Sequence, residues 1–90
     1  MIRLTRDEVI NMHTMLIEQT GGTDGLRENS LLESSIYGIY QTFDGEELYP
    51  TDIEKSARLA YNLISNHPFV DGNKRIGLLA MLVVLEKSGI

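Results

Sequence analysis

The strongest constraint on the fold is a helix-length segment near the C-terminal end that is apolar on nearly every side: Ile76, Leu78, Leu79, Met81, Leu82, Val83, Val84 and Leu85. A helix with no polar face has to be enclosed, either by lipid or by other parts of the protein. Its unbroken apolar run, Leu78 to Leu85, falls far short of the ~18 residues a membrane span needs. No membrane role follows, and the cover must come from protein. The 90 residues suffice for one hydrophobic core but not two, since domains are typically on the order of 100 residues. Residues 1–90 are therefore read as a single domain, with other helices packed around this one.

The pattern Ser/Thr-x-x-Glu marks where those helices begin. It occurs at Thr5/Glu8, Ser30/Glu33 and Thr51/Glu54, each time ahead of a periodic apolar stretch, so that hydroxyl and carboxylate satisfy orphan amides reciprocally. The first helix is expected over 6–20, with Val9, Met12, His13, Leu16 and Ile17 inward, ending at Gly21-Gly22. The second runs from Leu31 to about Thr42 on Leu32, Ile36, Ile39, Tyr40 and Phe43, weakened at Gly38. Residues Asp44 to Pro50 are either a loop or a small extended flap. The third helix carries Ile53, Ala57, Ala60, Tyr61 and Ile64 and stops near Asn66, because Pro68 disfavours helical geometry at His67. The fourth, the apolar one, starts near Asn73 and closes at Gly89. With no sustained strand period and no repeat, the fold class is all-α, an antiparallel-leaning bundle.

Composition removes several function classes. Thirteen acidic against eight basic residues leave a net charge of -5, without the basic footprint that holds nucleic-acid binders on phosphate. The absence of cysteine rules out disulfides and thiolate metal sites and suits a reducing compartment. No apolar leader follows Met1, so the cytoplasm is the expected location. His13 lies on an apolar helix face and reads as a structural residue. Tyr37, Tyr40, Tyr49 and Tyr61 read as packing residues, and Asp44, Glu46 and Glu47 as a solvated cluster.

One junction concentrates chemistry. His67-Pro68-Phe69-Val70-Asp71-Gly72-Asn73-Lys74-Arg75 joins the third and fourth helices with an imidazole, a carboxylate, an amide and two cations. The backbone amides of Gly72 to Arg75 open a long helix and so lack intrahelical partners, and the helix dipole adds positive potential there. Lys74 and Arg75 oppose that dipole, a conflict that a bound phosphate removes. Asp71 supplies the single hard oxygen that Mg2+ takes when it is shared with nucleotide phosphates, and His67 is placed to accept a proton from a hydroxyl.

These residues resemble the Fic/Doc (filamentation/death-on-curing) family, whose pattern His-x-Phe-x-Asp/Glu-Gly-Asn-Gly/Lys-Arg is met by His67, Phe69, Asp71, Gly72, Asn73, Lys74 and Arg75. Gly21-Gly22, Gly25-Leu26-Arg27, Leu31-Leu32-Glu33 and Asn66-His67-Pro68-Phe69 extend the likeness to the Doc-like branch over essentially the whole chain. The resemblance implies a Fic/Doc (Fido) helical bundle with a central helix after the motif loop. It further implies His67 as general base, Asp71 on Mg2+, Gly72, Asn73, Lys74 and Arg75 on the phosphates of ATP, and Phe69 as the loop's anchor.

Lysine at position 74, where most Fic enzymes that transfer AMP carry glycine, implies the Doc-like reaction, passage of the γ-phosphoryl group to a Ser or Thr hydroxyl of a target protein. That target is expected to be a translation component. Leu78 stands where the Fic pattern has a second arginine, which weighs against AMP transfer. Relatives continue with further helices beyond the position of Ile90, so a domain truncated at its C-terminus, and with it a catalytically inactive nucleotide- or partner-binding module, is an alternative. No clean copy of the family's inhibitory Ser/Thr-x-x-x-Glu-Gly/Asn pattern occurs, and a separate antitoxin chain is the expected restraint.

Overall fold

The computed structural model describes residues 2–90. The chain runs through α1 (Arg6–Thr20), α2 (Asn29–Tyr37), a single 3-10 turn (Gly38–Tyr40), β1 (Thr42–Phe43), β2 (Glu46–Glu47), α3 (Asp52–Asn66) and α4 (Asn73–Lys87). The expected helical fold is present, and its only sheet among the described residues is the small β1–β2 hairpin. No described helix is long and apolar enough to cross a membrane.

Two of the three capping boxes form. Thr5 accepts from Glu8 N and Thr51 from Glu54 N, and each glutamate reaches back to the N-cap amide. The Ser30/Glu33 box does not. α2 starts earlier, with Glu28 at its N-cap and no side-chain cap, because the amides of Arg27 and Glu28 both donate to Pro68 O, at 2.8 and 3.0 Å. A tertiary tie fixes the helix start ahead of the local signal. α2 also ends sooner than expected: the chain tightens into the 3-10 turn at Gly38, and Thr42 is strand, not helix. The connector is a flap. Asp44 and Gly45 both have positive φ, 53° and 81°, as a two-residue type I′ hairpin turn requires, and Thr42 pairs with Glu47 and Phe43 with Glu46.

The face that α3 buries also differs from the sequence expectation. Ile53 and Tyr61 are exposed, while Lys55, Ser56, Leu59, Ala60 and Leu63 are buried. Two polar side chains go inside because each finds a partner. Ser56 Oγ donates to Asp52 O at 2.7 Å, and the Lys55 ammonium donates to Tyr49 O and pairs with Glu47 at 3.2 Å. Phe43, expected inside, is exposed on the hairpin.

The core joins Leu4 and Val9 with Leu32, Ile36 and Ile39, Leu59 and Leu63, Phe69, and Ile76, Ala80 and Val84. α3 and α4 form the most extensive helix pair. α4 is covered along Ile76, Gly77, Ala80 and Val84, whereas Leu78 and Leu82 remain 42% and 57% exposed. The helix is therefore central on one side and open on the other, which fits its apolar circumference only in part.

Candidate active site at the junction of α3 and α4

α3 ends on His67, which takes left-handed backbone angles (φ 48°, ψ 56°) as its C-cap. This conformation is uncommon for a residue with a side chain, and three contacts hold it. Arg27 donates from Nε to His67 O at 2.6 Å and from Nη2 to Asn66 O at 3.0 Å, satisfying carbonyls that the helix end leaves open. Asn73 Nδ2 lies 3.3 Å from His67 Nδ1. Because an amide NH2 can only donate, that contact leaves Nδ1 as the unprotonated ring nitrogen, facing the first turn of α4.

The loop between them is stitched in two directions. Asn73, buried to 7% exposure, accepts from Phe69 N at 2.9 Å and donates to Phe69 O at 3.0 Å, closing the loop on itself. Val70 N donates to Gly25 O at 3.0 Å, and Leu26 and Phe69 form an antiparallel bridge, so the segment after α1 runs alongside as a second wall. Phe69 is buried and stacks on His13, with ring centroids 3.8 Å apart and planes within 8°. His13 Nε2 meets Asp71 O at 2.7 Å. A carbonyl can only accept, so Nε2 carries the proton. His13 Nδ1 faces Asp24 Oδ1 at 3.3 Å without hydrogen-bond geometry.

Asp71 is half-exposed. Its Oδ2 accepts from Thr23 N at 3.1 Å and its Oδ1 from Gly72 N at 2.8 Å. These backbone donors, Thr23 first and Gly72 second, hold its carboxyl below the usual aspartate range, and the Arg75 charge adds to them. Glycine is required on both sides. At Gly22 (φ 118°) a Cβ would stand 2.6 Å from Asp71 Oδ2, and at Gly72 (φ 74°) it would stand 2.9 Å from Ile17 Cδ1.

Arg75 turns away from the start of its own helix. Nη1 donates to Thr20 Oγ1 at 2.6 Å and to Gly21 O at 2.7 Å, and Nη2 lies 3.7 Å from Asp71 Oδ1. α1 has no basic residue in its last turn, so Arg75 places a cation at that negative dipole end. Half of the apparent conflict at the start of α4 is thereby explained without a phosphate. Lys74 is exposed, and no side chain caps α4.

Six of the seven residues singled out in the motif, His67, Asp71, Gly72, Asn73, Lys74 and Arg75, together with Val70, line one cleft of about 380 Å³. Phe69 lies beneath it. Asp71 suits a Mg2+ shared with phosphates: it is ionised, half-exposed and the one carboxylate on the rim. No cluster of three or more potential ligands occurs among the described residues, so a metal held by the protein alone has no site there. Sequence reasoning missed two supports, Arg27 behind His67 and Thr23 on Asp71, and read His13 as structural, which its burial under the loop bears out. His13 gave one signal, its place between Val9 and Ile17 on the buried stripe of α1.

The chain is 31% identical over 87 residues to a protein named Toxin Doc from Mycolicibacterium smegmatis, an alignment covering 97% of this chain and 65% of that relative's length. No solved structure matches. Residues 3–85 match the Fic/DOC family across the four helices and the whole motif loop, and the chain belongs to that family.

Proposed function

We propose that this domain transfers the γ-phosphoryl group of ATP to a Ser or Thr hydroxyl of a target protein, in the cytoplasm and in the manner of a Doc-like toxin restrained by an antitoxin. The observation that carries the reading is the shared cleft: His67, Asp71, the uncapped first turn of α4 and Lys74 all border one space. His67 accepts the proton of the acceptor hydroxyl on its imidazole. The hydroxyl oxygen bonds to the γ-phosphorus as the bond to the β,γ-bridging oxygen breaks, and ADP leaves. The amides of Asn73, Lys74 and Arg75 and the Lys74 ammonium offset charge on the phosphates. Asp71 would hold Mg2+, which would supply neutralising charge to the phosphates. A translation component is the target class we favour.

A second reading, nucleotide or partner binding without transfer, is favoured by Arg75, whose guanidinium is engaged on α1, and by the open Leu78/Leu82 face. Mass analysis of proteins modified on incubation with the purified chain, ATP and Mg2+ separates the cases. A single phosphoryl adduct on Ser or Thr is expected. An adenylyl adduct would replace phosphotransfer with AMP transfer, and no adduct from a folded chain would favour the binding module.

A further inference from the structure

A second cleft, of about 340 Å³, lies between α2 and α3. Its α3 wall is Arg58, Tyr61, Asn62, Ser65 and Asn66, a spacing of three and four that keeps them on one helical face. That face ends at Asn66, the residue before His67. The wall is fixed in place, because Asn62 Nδ2 donates to Ser35 O at 3.2 Å and Asn66 Nδ2 to Ser35 Oγ at 2.9 Å.

Arg58 is the cleft's one cation. Its guanidinium sits over the Tyr61 ring at 4.5 Å and the Tyr49 ring at 5.2 Å, which orients the group. It forms no ion pair among the described residues, in a chain with a five-charge acidic excess. Glu54, one turn earlier and correctly spaced to pair with it, uses its carboxylate on the amide of Thr51. An oriented, unpaired guanidinium in a polar cleft matches a carboxylate ligand.

We propose that this cleft is the groove in which the acceptor protein docks, and that Arg58 selects an acidic side chain of that protein. The proposal rests on the reading of His67 as the group that receives the acceptor hydroxyl's proton. Arg58 and His67 are nine positions apart, about 13 Å along a helix at ~1.5 Å per residue, which is the reach of roughly four extended residues at ~3.3 Å each. The acidic residue therefore lies about four positions from the acceptor Ser or Thr.

The test is a titration of the isotopically labelled 90-residue chain, followed by NMR, with a nonapeptide carrying a central serine and a glutamate four residues to either side, all other positions being alanine or glycine. Its glutamine counterpart is the control. The glutamate peptide should shift the side-chain signals of Arg58, Asn62 and Asn66 and bind on the order of tenfold more tightly, the ratio set by ~1.4 kcal/mol. Arg58→Gln should erase the preference and Arg58→Lys should retain part of it, with thermal melts confirming that both variants fold. Equal affinity for the two peptides, a preference that survives Arg58→Gln, or AMP shifting the same signals would each overturn the proposal. His67→Ala should keep the glutamate preference while transferring nothing. A groove that binds normally beside a wild-type chain that transfers no phosphoryl group would therefore refute the reaction and leave the groove.

Discussion

Gly77→Ala tests the packing that sets His67 against the start of α4, and its sign depends on two opposed effects. Gly77 is buried in the interior of α4, where alanine is favoured over glycine by about 1 kcal/mol on propensity alone. A Cβ there, however, would lie 2.9 Å from Ile64 Cγ1, 3.1 Å from the backbone carbonyl of Ala60 and 3.4 Å from Ile64 Cδ1. The carbonyl belongs to α3 and moves only with that helix. Ile64 is β-branched and holds one rotamer in a helix, so it yields little. Overpacking of this kind typically costs 1–3 kcal/mol, and the net is a loss of roughly 1 kcal/mol. Thermal unfolding of a domain this size should then shift down by ~4–8 °C. The effect should be smaller, or reversed, in an Ile64→Ala background, where both side-chain clashes are gone. A higher melting temperature for Gly77→Ala in the native background would refute the view that α3 and α4 touch through this glycine.

Asn73→Ala strands two backbone groups of Phe69, each worth ~1–3 kcal/mol when left unsatisfied, so urea unfolding should show a loss of roughly 2–4 kcal/mol; a near-neutral result would mean the loop holds without it. His13→Ala removes the stack on Phe69 and the donor to Asp71 O, and a loss of about 2–4 kcal/mol is expected from the cavity and the unmade bond together. Asp71 has a lowered folded pKa, so its contribution to stability is complete above the ordinary aspartate value of about 3.9 and is lost as pH falls through the folded value. Asp71→Asn should flatten the acid limb of the stability profile below that pH and leave the slope near neutrality unchanged. An acid limb identical in the two proteins would contradict the Thr23 and Gly72 contacts.

The sequence revealed the frame better than the faces. Thr5/Glu8 and Thr51/Glu54 placed α1 and α3 closely because a capping box is local: every atom it needs lies within one turn. Ser30/Glu33 misled because the start of α2 is decided by Pro68 O, some 40 residues away in sequence, and no local pattern records that. On α3, counting apolar residues favoured Ile53 and Tyr61 over Ser56 and Lys55, since the partners that allow those polar groups inside, Asp52 O, Tyr49 O and Glu47, appear only once the chain is folded. The motif residues were readable as a group because they are contiguous, and contiguity brings them to one cleft. Their supports were not: Arg27 and Thr23 reach the motif from 40 and 48 positions away, and His13, legible as structural, meets it from 58. Arg75 is the instructive case, a cation that looked misplaced on its own helix and is well placed at the end of another.

The proposed reaction moves a γ-phosphoryl group from ATP to a protein hydroxyl with His67 as the proton acceptor. Parallel incubations of bacterial lysate with the purified chain, Mg2+ and either γ-radiolabelled or α-radiolabelled ATP test it most directly, with His67→Ala as the control. A protein band labelled from the γ position only and absent with His67→Ala is expected. A band labelled from the α position, or a γ-labelled band that persists without His67, would contradict it.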